Sequence, residues 1–511
     1  MNYRFVSKHL GLLTGVLGAS VLLISAMDWY FWSDNTPLEV AGTKALLVTG
    51  LLGWLFAVVL LAMGRGAEAY LGRREAMLLV ALSWIFGAAL SGLPYFLWAF
   101  QVMPVGHPFR DFTACYFEAM SGLTTTGATV LSDIHILPTR LLLWRATTHW
   151  LGGLGIVVLF VAVLPTLGVG GKKLFNVEAP GPSQPGVKPR IRETARLLWF
   201  IYVGMTIVQT VALMCTGMNL FDAICHTFAT LATGGFSTKN ASAGAYTPAA
   251  QIVMIVFMIL AGVNFGLYYH ILQRQFKRFW RDPEFQLYLG IITVASVIVI
   301  SSLLGDNLVL TDGTVIEGTV ANSTLHGVFQ VVSIQTTTGY GTVDSNQWNF
   351  VPKMTLLILM FIGGCAGSTG GGIKVVRILV GFKIIVAEIE RVFRPNVVRS
   401  IKVGNSVIDP NMRQAVLVYI LGIVAIFVLG AIAIVLIEQN YGDGIDIVTA
   451  VTASAATLHN VGPGFARVGA IENYGWFSSP SLAVMSLLMA LGRLEVYALL
   501  VLFVPTFWRK P

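Results

Sequence analysis

Four stretches of this chain share a hydroxyl- and glycine-rich pattern: Thr124-Thr125-Thr126-Gly127-Ala128, Ala232-Thr233-Gly234-Gly235-Phe236, Thr336-Thr337-Thr338-Gly339-Tyr340-Gly341 and His459-Asn460-Val461-Gly462-Pro463-Gly464. Aligned as Thr/Asn-x-Gly, they place Thr125, Thr233, Thr337 and Asn460 in one column. Thr126, Gly234, Thr338 and Val461 form the next, and Gly127, Gly235, Gly339 and Gly462 the third. A second set of glycines, Gly152, Gly262, Gly364 and Gly492, follows 25, 27, 25 and 30 residues later. Such loops suit the chemistry of a cation that must shed water. Moving an ion of ammonium size into a low dielectric costs on the order of 20 kcal/mol, and rings of backbone carbonyls can replace its hydration shell. The carbonyls can face one axis only if the backbone takes unusual dihedrals, which glycine permits. A lone Thr-Gly loop is a common turn. Four in register, each after a short apolar stretch and before a long one, call for a common purpose.

Other residues stand out against the apolar background. Gly363-Gly364-Cys365-Ala366-Gly367-Ser368-Thr369-Gly370-Gly371-Gly372 has six glycines in ten residues. Glycine costs about 1 kcal/mol per residue in a helix, so this segment should break the helix it interrupts. Small residues also let helices approach closely, and packing is the alternative reading. No GK[ST] follows, which removes a phosphate-binding loop. Arg493 lies deep in the last apolar segment, where a charge is costly and functional by default. It is expected to hold the glycine segment and to raise the barrier to cations; a structural pair with Glu495 or Glu118 is the alternative. Glu118, His226, Gln330 and Ala453 all lie nine residues before a loop glycine. The three polar ones, with Arg145 and His149, are read as structural groups bracing the loops from behind. Asp133, Lys239, Asp344 and Arg467 follow the loops and read as solvated rim charges. No HExxH or GxSxG framework accompanies His149, His226 or His459, so an enzyme is not expected, nor a covalently bound cofactor. The cysteines Cys115, Cys215, Cys225 and Cys365 lack metal-ligand spacing and read as buried inert thiols.

The elements that must position these residues are membrane helices. Of 511 residues, 55% are hydrophobic and 11% charged, where a soluble domain carries about 25% charged. Ten long apolar segments lie near 9–33, 43–64, 76–100, 138–165, 195–217, 249–272, 286–304, 353–387 (interrupted), 413–437 and 481–508. The first is longer than a signal-peptide core and lacks a clear small-residue cleavage site, so it reads as a retained helix. The net charge of +8 does not mark a nucleic-acid face, because the basic residues fall between apolar runs. Arg4 and Lys8 precede the first segment and Arg65, Arg73 and Arg74 follow the second. Lys172, Lys173, Lys188, Arg190 and Arg192 follow the fourth, and Arg274, Lys277, Arg278 and Arg281 the sixth. Lys374, Arg377, Lys383, Arg391, Arg394, Arg399 and Lys402 follow the break in the eighth, and Arg509 and Lys510 end the chain. Asp34, Glu39, Asp306, Asp312 and Glu317 sit in alternate connections. The positive-inside rule then puts both termini in the cytoplasm. Stretches of about 10–15 apolar residues before each glycine loop are too short to span and suit re-entrant helices.

The expected fold is an all-α polytopic membrane protein with four pseudo-fourfold repeats of helix, short helix, glycine loop and helix around one pore. Its divisions are a two-helix region at 1–74 and repeats at 75–194, 195–285, 286–412 and 413–511. The motifs TTTGAT, ATGGFST, TTTGYGT, HNVGPG, GCAGSTGGGIKVVR and LGRLE resemble those of the Trk/Ktr/HKT superfamily of potassium transporters over nearly the whole chain. TTTGYG also resembles the potassium-channel filter. The two extra N-terminal helices resemble the longer TrkH branch rather than the shorter KtrB branch. The resemblance implies potassium uptake through a carbonyl filter in a bacterial inner membrane, with K+ ions held at the loop residues named above. It implies that 363–372 is an intramembrane gating loop. It implies a homodimer with one pore per subunit and a cytoplasmic TrkA-type nucleotide-binding regulatory subunit. No Rossmann-like GxGxxG unit occurs in the chain, so that regulator would be separate. Sodium-selective plant relatives carry serine at the first loop glycine; Gly127 here favours potassium. Asn460 departs from the Thr-x-Gly pattern, which implies a chemically asymmetric ring. Symport coupled to H+ or Na+ is the alternative, although no clustered acid relay is visible.

Overall fold

Side-chain oxygens set the start of four short helices. Asp111, Asn219, Thr319 and Asp446 each accept a hydrogen bond from a first-turn N–H of Phe112–Leu123, Leu220–Leu231, Val320–Gln335 and Ile447–Leu458. These are the stretches read as too short to span. Their 12, 12, 16 and 12 residues rise about 18 to 24 Å, less than the ~30 Å of a hydrocarbon core. The structure is a computed structural model and describes residues 1–31, 36–67, 72–162, 191–396, 400–404, 406–442 and 444–509. Asp34, Lys172, Lys173, Lys188, Arg190, Arg399 and Lys510 lie outside the described residues, as do the side chains of Arg73 and Arg192.

Helices run through the described parts of all ten apolar segments. Six are long and apolar enough to cross a membrane, and two bent pairs raise this to eight among the described residues. The other two are Thr139–Ala162 and the pair Phe350–Phe361 and Val375–Phe393, separated by the glycine segment. Two segments read as continuous are broken. Pro248–Ala261 and Phe265–Leu272 meet at 96°, and Ser479–Arg493 and Tyr497–Phe503 at 117°. The first break is held from outside the helix. Gly262 gives its carbonyl to the Cys365 N–H at 2.8 Å, while the Asn264 side chain caps the new turn by accepting from Gly266 N–H at 2.8 Å. At the second, Glu495 and Val496 take φ of 54° and 65°, which ends the helix. Two small antiparallel hairpins, Asn307–Val309 with Val315–Glu317 and Lys402–Val403 with Ser406–Val407, are additions that the all-α reading did not foresee.

Packing follows a cycle. Tyr3–Phe31 and Pro37–Met63 pack on each other and on Arg73–Val102, at the edge of the rest. Thr139–Ala162 packs on the short helix Leu220–Leu231, Pro248–Ala261 on Val320–Gln335, and Phe350–Phe361 on Ile447–Leu458. Ser479–Arg493 then packs on Phe112–Leu123 and closes the ring. Each repeat thus supports the short helix of the next. The outward faces are apolar, with Leu47, Leu51, Trp54, Leu55 and Val58 exposed along Pro37–Met63, as a lipid-facing helix requires. Cys115, Cys225 and Cys365 are buried as expected, but Cys215 is exposed; it is the last residue of Ile191–Cys215 and faces outward.

Candidate functional site

The four glycine loops repeat one backbone conformation. Thr125, Thr233, Thr337 and Asn460 have φ of 52°, 55°, 59° and 55°, and Gly127, Gly235, Gly339 and Gly462 have φ of 84°, 77°, 80° and 97°. Thr126, Gly234, Thr338 and Val461 between them do not share the left-handed φ. Alternating hand directs successive N–H groups to one side of the chain and leaves the carbonyls on the other. The N–H groups turn back onto the short helices. Those of Thr126, Gly234, Thr338 and Val461 donate to Ser121, Ala229, Ser333 and Ala456 carbonyls at 2.8, 2.8, 2.8 and 2.9 Å. Among the described residues, no backbone N–H donates to the carbonyl oxygens of Thr125, Thr126, Thr233, Gly234, Thr337, Thr338, Asn460 or Val461. Buried carbonyls are normally paired, so this set has coordinating capacity to spare.

The glycine contacts reveal the ring. A Cβ on Gly127 would strike the Gly234 carbonyl oxygen, one on Gly235 that of Thr338, one on Gly339 that of Val461, and one on Gly462 that of Thr126. Each glycine lies against the middle carbonyl of the next repeat, and the order closes after four. All four glycines also line one cavity of about 110 Å³ that opens beyond the ring.

Polar groups behind the loops brace the segments that leave them. Glu118 accepts from Thr129 Oγ1 and Val130 N–H at 3.0 Å each and from Arg145 Nε at 2.6 Å. Arg145 also donates to the Ser237 carbonyl at 3.2 Å and lies 3.4 Å over the Phe236 ring, which ties the first repeat to the second. His149 joins the same two repeats through the Gly122 carbonyl at 2.7 Å and Phe236 N–H at 3.2 Å. His226 pairs with Ser237 Oγ at 2.9 Å, and Gln330 donates to the Val343 carbonyl at 3.4 Å. In the fourth repeat Ala453 cannot do this, and its neighbour Thr452 bonds both the N–H and the carbonyl of Phe465 instead. All of these side chains bond the loops or the segments that leave them, and Arg145 also lines the cavity beyond the ring. Of the four expected rim charges, Asp133 accepts from Asn240 at 2.8 Å and Lys239 pairs with Asp222 at 3.9 Å. Arg467 is exposed and lies 3.6 Å over Trp476. Asp344 is buried rather than solvated: its carboxylate caps Ser345–Gln347, accepting from Asn346 N–H at 3.0 Å.

The 363–372 segment lies against the inner ends of three loops. Gly371 N–H donates to Thr337 Oγ1 at 2.6 Å, and Thr369 Oγ1 to the Leu231 carbonyl at 2.9 Å. A Cβ on Gly371 would press on the His459 carbonyl and on Asn460, and one on Gly364 on Gly262. Gly367 accepts from Phe265 N–H at 3.1 Å, Gly363 accepts from Gln335 Nε2 at 3.2 Å, and Ser368 Oγ accepts from Gly370 N–H at 3.3 Å. Gly372 is left-handed at φ 64°, and Ala366 is buried, as are Cys365, Ser368 and Thr369. Buried Arg493 donates from Nη1 to the Thr369 carbonyl at 2.7 Å. Its alternative partners are taken: Glu118 by Arg145 at 2.6 Å and Glu495 by Arg377 at 2.7 Å.

Some positions had a role the sequence did not disclose. Lys374 and Arg377, counted among the topology charges, are buried; Lys374 Nζ donates to the Gly370 carbonyl. Their place directly after the glycine run was the available signal. Glu284 carried no signal beyond being an acid near an apolar run, yet it accepts from Ala366 within the glycine segment and from Val376 just beyond it. In the second glycine set, Gly152 and Gly492 face the Leu123 and Leu458 carbonyls alike, but Gly262 faces Thr336 as Gly153 faces Ala232. The second repeat is therefore shifted by one residue.

A family model described as cation transport protein, TrkH, matches residues 104–510. The chain belongs to the TrkH family. It is 37% identical over 515 aligned residues to the Trk system potassium uptake protein TrkH of Escherichia coli strain K12, covering 100% of both. To the TrkH protein of Halomonas elongata it is 36% identical over 514 residues, again covering 100% of both. The crystal structure of the potassium transporter TrkH from Vibrio parahaemolyticus superposes with a TM-score of 0.85 at 33% identity, covering 100% of each chain. These TrkH relatives are transporters, not enzymes. The polytopic all-α architecture is that of the TrkH crystal structure.

Proposed function

We propose that this TrkH-family chain takes up potassium through a single pore whose selective part is the ring of four glycine loops. The observation that carries this reading is the closed cycle of glycine-to-carbonyl contacts, Gly127 to Gly234, Gly235 to Thr338, Gly339 to Val461 and Gly462 to Thr126. Such a cycle supports a ring of carbonyls from all four repeats about one axis, free of competing backbone N–H donors. The names of the TrkH relatives point to potassium as the cargo. The C-terminal ends of the four short helices meet at the ring and favour a cation there.

The 363–372 segment is the gate in this reading, since it occupies the floor of the ring and is held by Arg493. The guanidinium adds a positive charge on the ion path. The resemblance supports a homodimer, a TrkA-type nucleotide-binding partner on the cytoplasmic face and a bacterial inner membrane. The alternation of basic connections supports cytoplasmic termini. The membrane potential supplies about 2.3 kcal/mol per charge per 100 mV, equal to roughly 50-fold accumulation. Proton or sodium symport is the second reading. It is disfavoured by the pairing of Glu118 with Arg145 and of Glu495 with Arg377.

The test is flux into proteoliposomes holding the purified chain with its cytoplasmic partner, under potassium or sodium gradients at several pH values. The expected result is potassium-selective flux whose reversal potential follows the potassium gradient alone. A reversal potential that moves with pH or sodium establishes coupled symport, and flux without preference for potassium refutes the filter.

A further inference from the structure

We propose that Glu284 is the positioning residue that latches the 363–372 segment in its blocking position, an inference that rests on the gating role proposed above. Glu284 is the second residue of the helix Pro283–Leu303 and is buried. One oxygen of its carboxylate, Oε1, accepts from Ala366 N–H at 2.7 Å and from Val376 N–H at 3.0 Å. These two amides flank the part of the segment that reaches under the ring. The tip between them carries the bonds from Arg493 to Thr369 and from Gly371 to Thr337. The two feet are thus pinned to one atom on a helix of a different element, while the tip is pinned to the ring.

The arrangement has a mechanical consequence. Val376 lies in the first turn of Val375–Phe393, so any displacement of that helix pulls on the Val376 N–H. With Glu284 in place, the helix cannot carry the segment away without breaking both charge-assisted bonds, which are roughly twice as strong as neutral ones. The two amides that Glu284 holds, those of Ala366 and Val376, lie outside the four glycine loops, so the latch controls how often the path opens and leaves ion selection alone. A residue that merely stabilises the fold would not separate those two properties.

The experiment compares the full-length wild type with Glu284→Ala and Glu284→Gln in proteoliposomes. It reads basal potassium flux, the potassium-to-sodium permeability ratio, and labelling of Cys365 by a water-soluble maleimide followed by peptide mass spectrometry. Cys365 is a buried thiol inside the segment and reports its exposure. Glu284→Ala is expected to raise flux and Cys365 labelling on the order of fivefold or more with an unchanged permeability ratio. Glu284→Gln keeps an acceptor but loses the charge, and an intermediate rise of at least about twofold is expected. Flux and labelling at wild-type levels in the glutamine variant overturn the latch, as does a rise in flux accompanied by lost selectivity. If the alanine variant fails to accumulate, the glutamine variant decides alone. Absence of flux in the wild type with its partner present is a failure of the pore reading itself.

Discussion

Asn460 stands where the other three repeats have threonine, and its amide does what a hydroxyl cannot. Nδ2 donates to Thr126 Oγ1 and to the Met489 carbonyl at 3.0 Å each, which joins the fourth loop to the first at the seam where the chain closes its ring. Thr126 is also in contact with Thr124 Oγ1 at 2.8 Å, as Thr338 is with Thr336 at 2.7 Å. Asn460→Ala removes the bond across the seam to Thr126 and the bond within the fourth repeat to Met489, at about 1 kcal/mol each. Discrimination of potassium over sodium is expected to fall by about an order of magnitude, read from reversal potentials; an unchanged ratio would show that the seam does not shape the ring. At this scale the glycine column was legible because the position tolerates no Cβ, a constraint visible in composition. The left-handed threonines were not legible by propensity. A β-branched residue at positive φ is an outlier, and only the fourfold repetition of Thr-x-Gly pointed to these positions. The strain, roughly 1–3 kcal/mol per residue, is held by N–H bonds back to the short helices. Those bonds depend on the fold and leave no trace in a single loop.

Among the elements, the broken helices meet one another at the glycine segment. Helices of three repeats break at Gly262–Asn264, at 363–372 and at Glu495–Val496. Sequence reading located only the second, because six glycines announce it. The other two sit in runs that are apolar throughout, and their breaks depend on partners from elsewhere, such as Cys365 N–H on Gly262. Arg493 is the last residue before the third break, and its bond to Thr369 spans from that helix to the glycine segment. Arg493→Ala removes this bond and the positive charge. Potassium flux is expected to rise several-fold, since a hydrogen bond involving a charged group contributes about 1.5–3 kcal/mol. Unchanged flux at normal expression would remove Arg493 from the barrier. The pair of Arg145 and Glu118 has the opposite character. Both are engaged on every side by loop backbone, rings and each other, so their charge is spent on holding the first and second repeats together.

For the whole molecule, the deciding feature is cyclic order. Each repeat packs on the short helix of the next, and the fourth packs on the first. The hydropathy pattern disclosed the apolar segments, because these are set by the bilayer as a solvent. It did not disclose the cycle, since neighbours across a ring are set by shape and not by composition. The two N-terminal helices lie outside the cycle, as their lack of a glycine loop implied. A central claim follows, that the four repeats contribute equally placed walls to one path although their sequences differ.

The measurement that tests this most directly is the potassium-to-sodium permeability ratio of four single variants, Gly127→Ser, Gly235→Ser, Gly339→Ser and Gly462→Ser, in proteoliposomes. Each would place a side chain against the carbonyl of the next repeat and strain a left-handed backbone by about 1–2 kcal/mol. The account predicts that all four lose selectivity by roughly tenfold or more while the protein still assembles. Loss confined to one or two repeats, with the others at the wild-type ratio, would contradict a single ring built from all four.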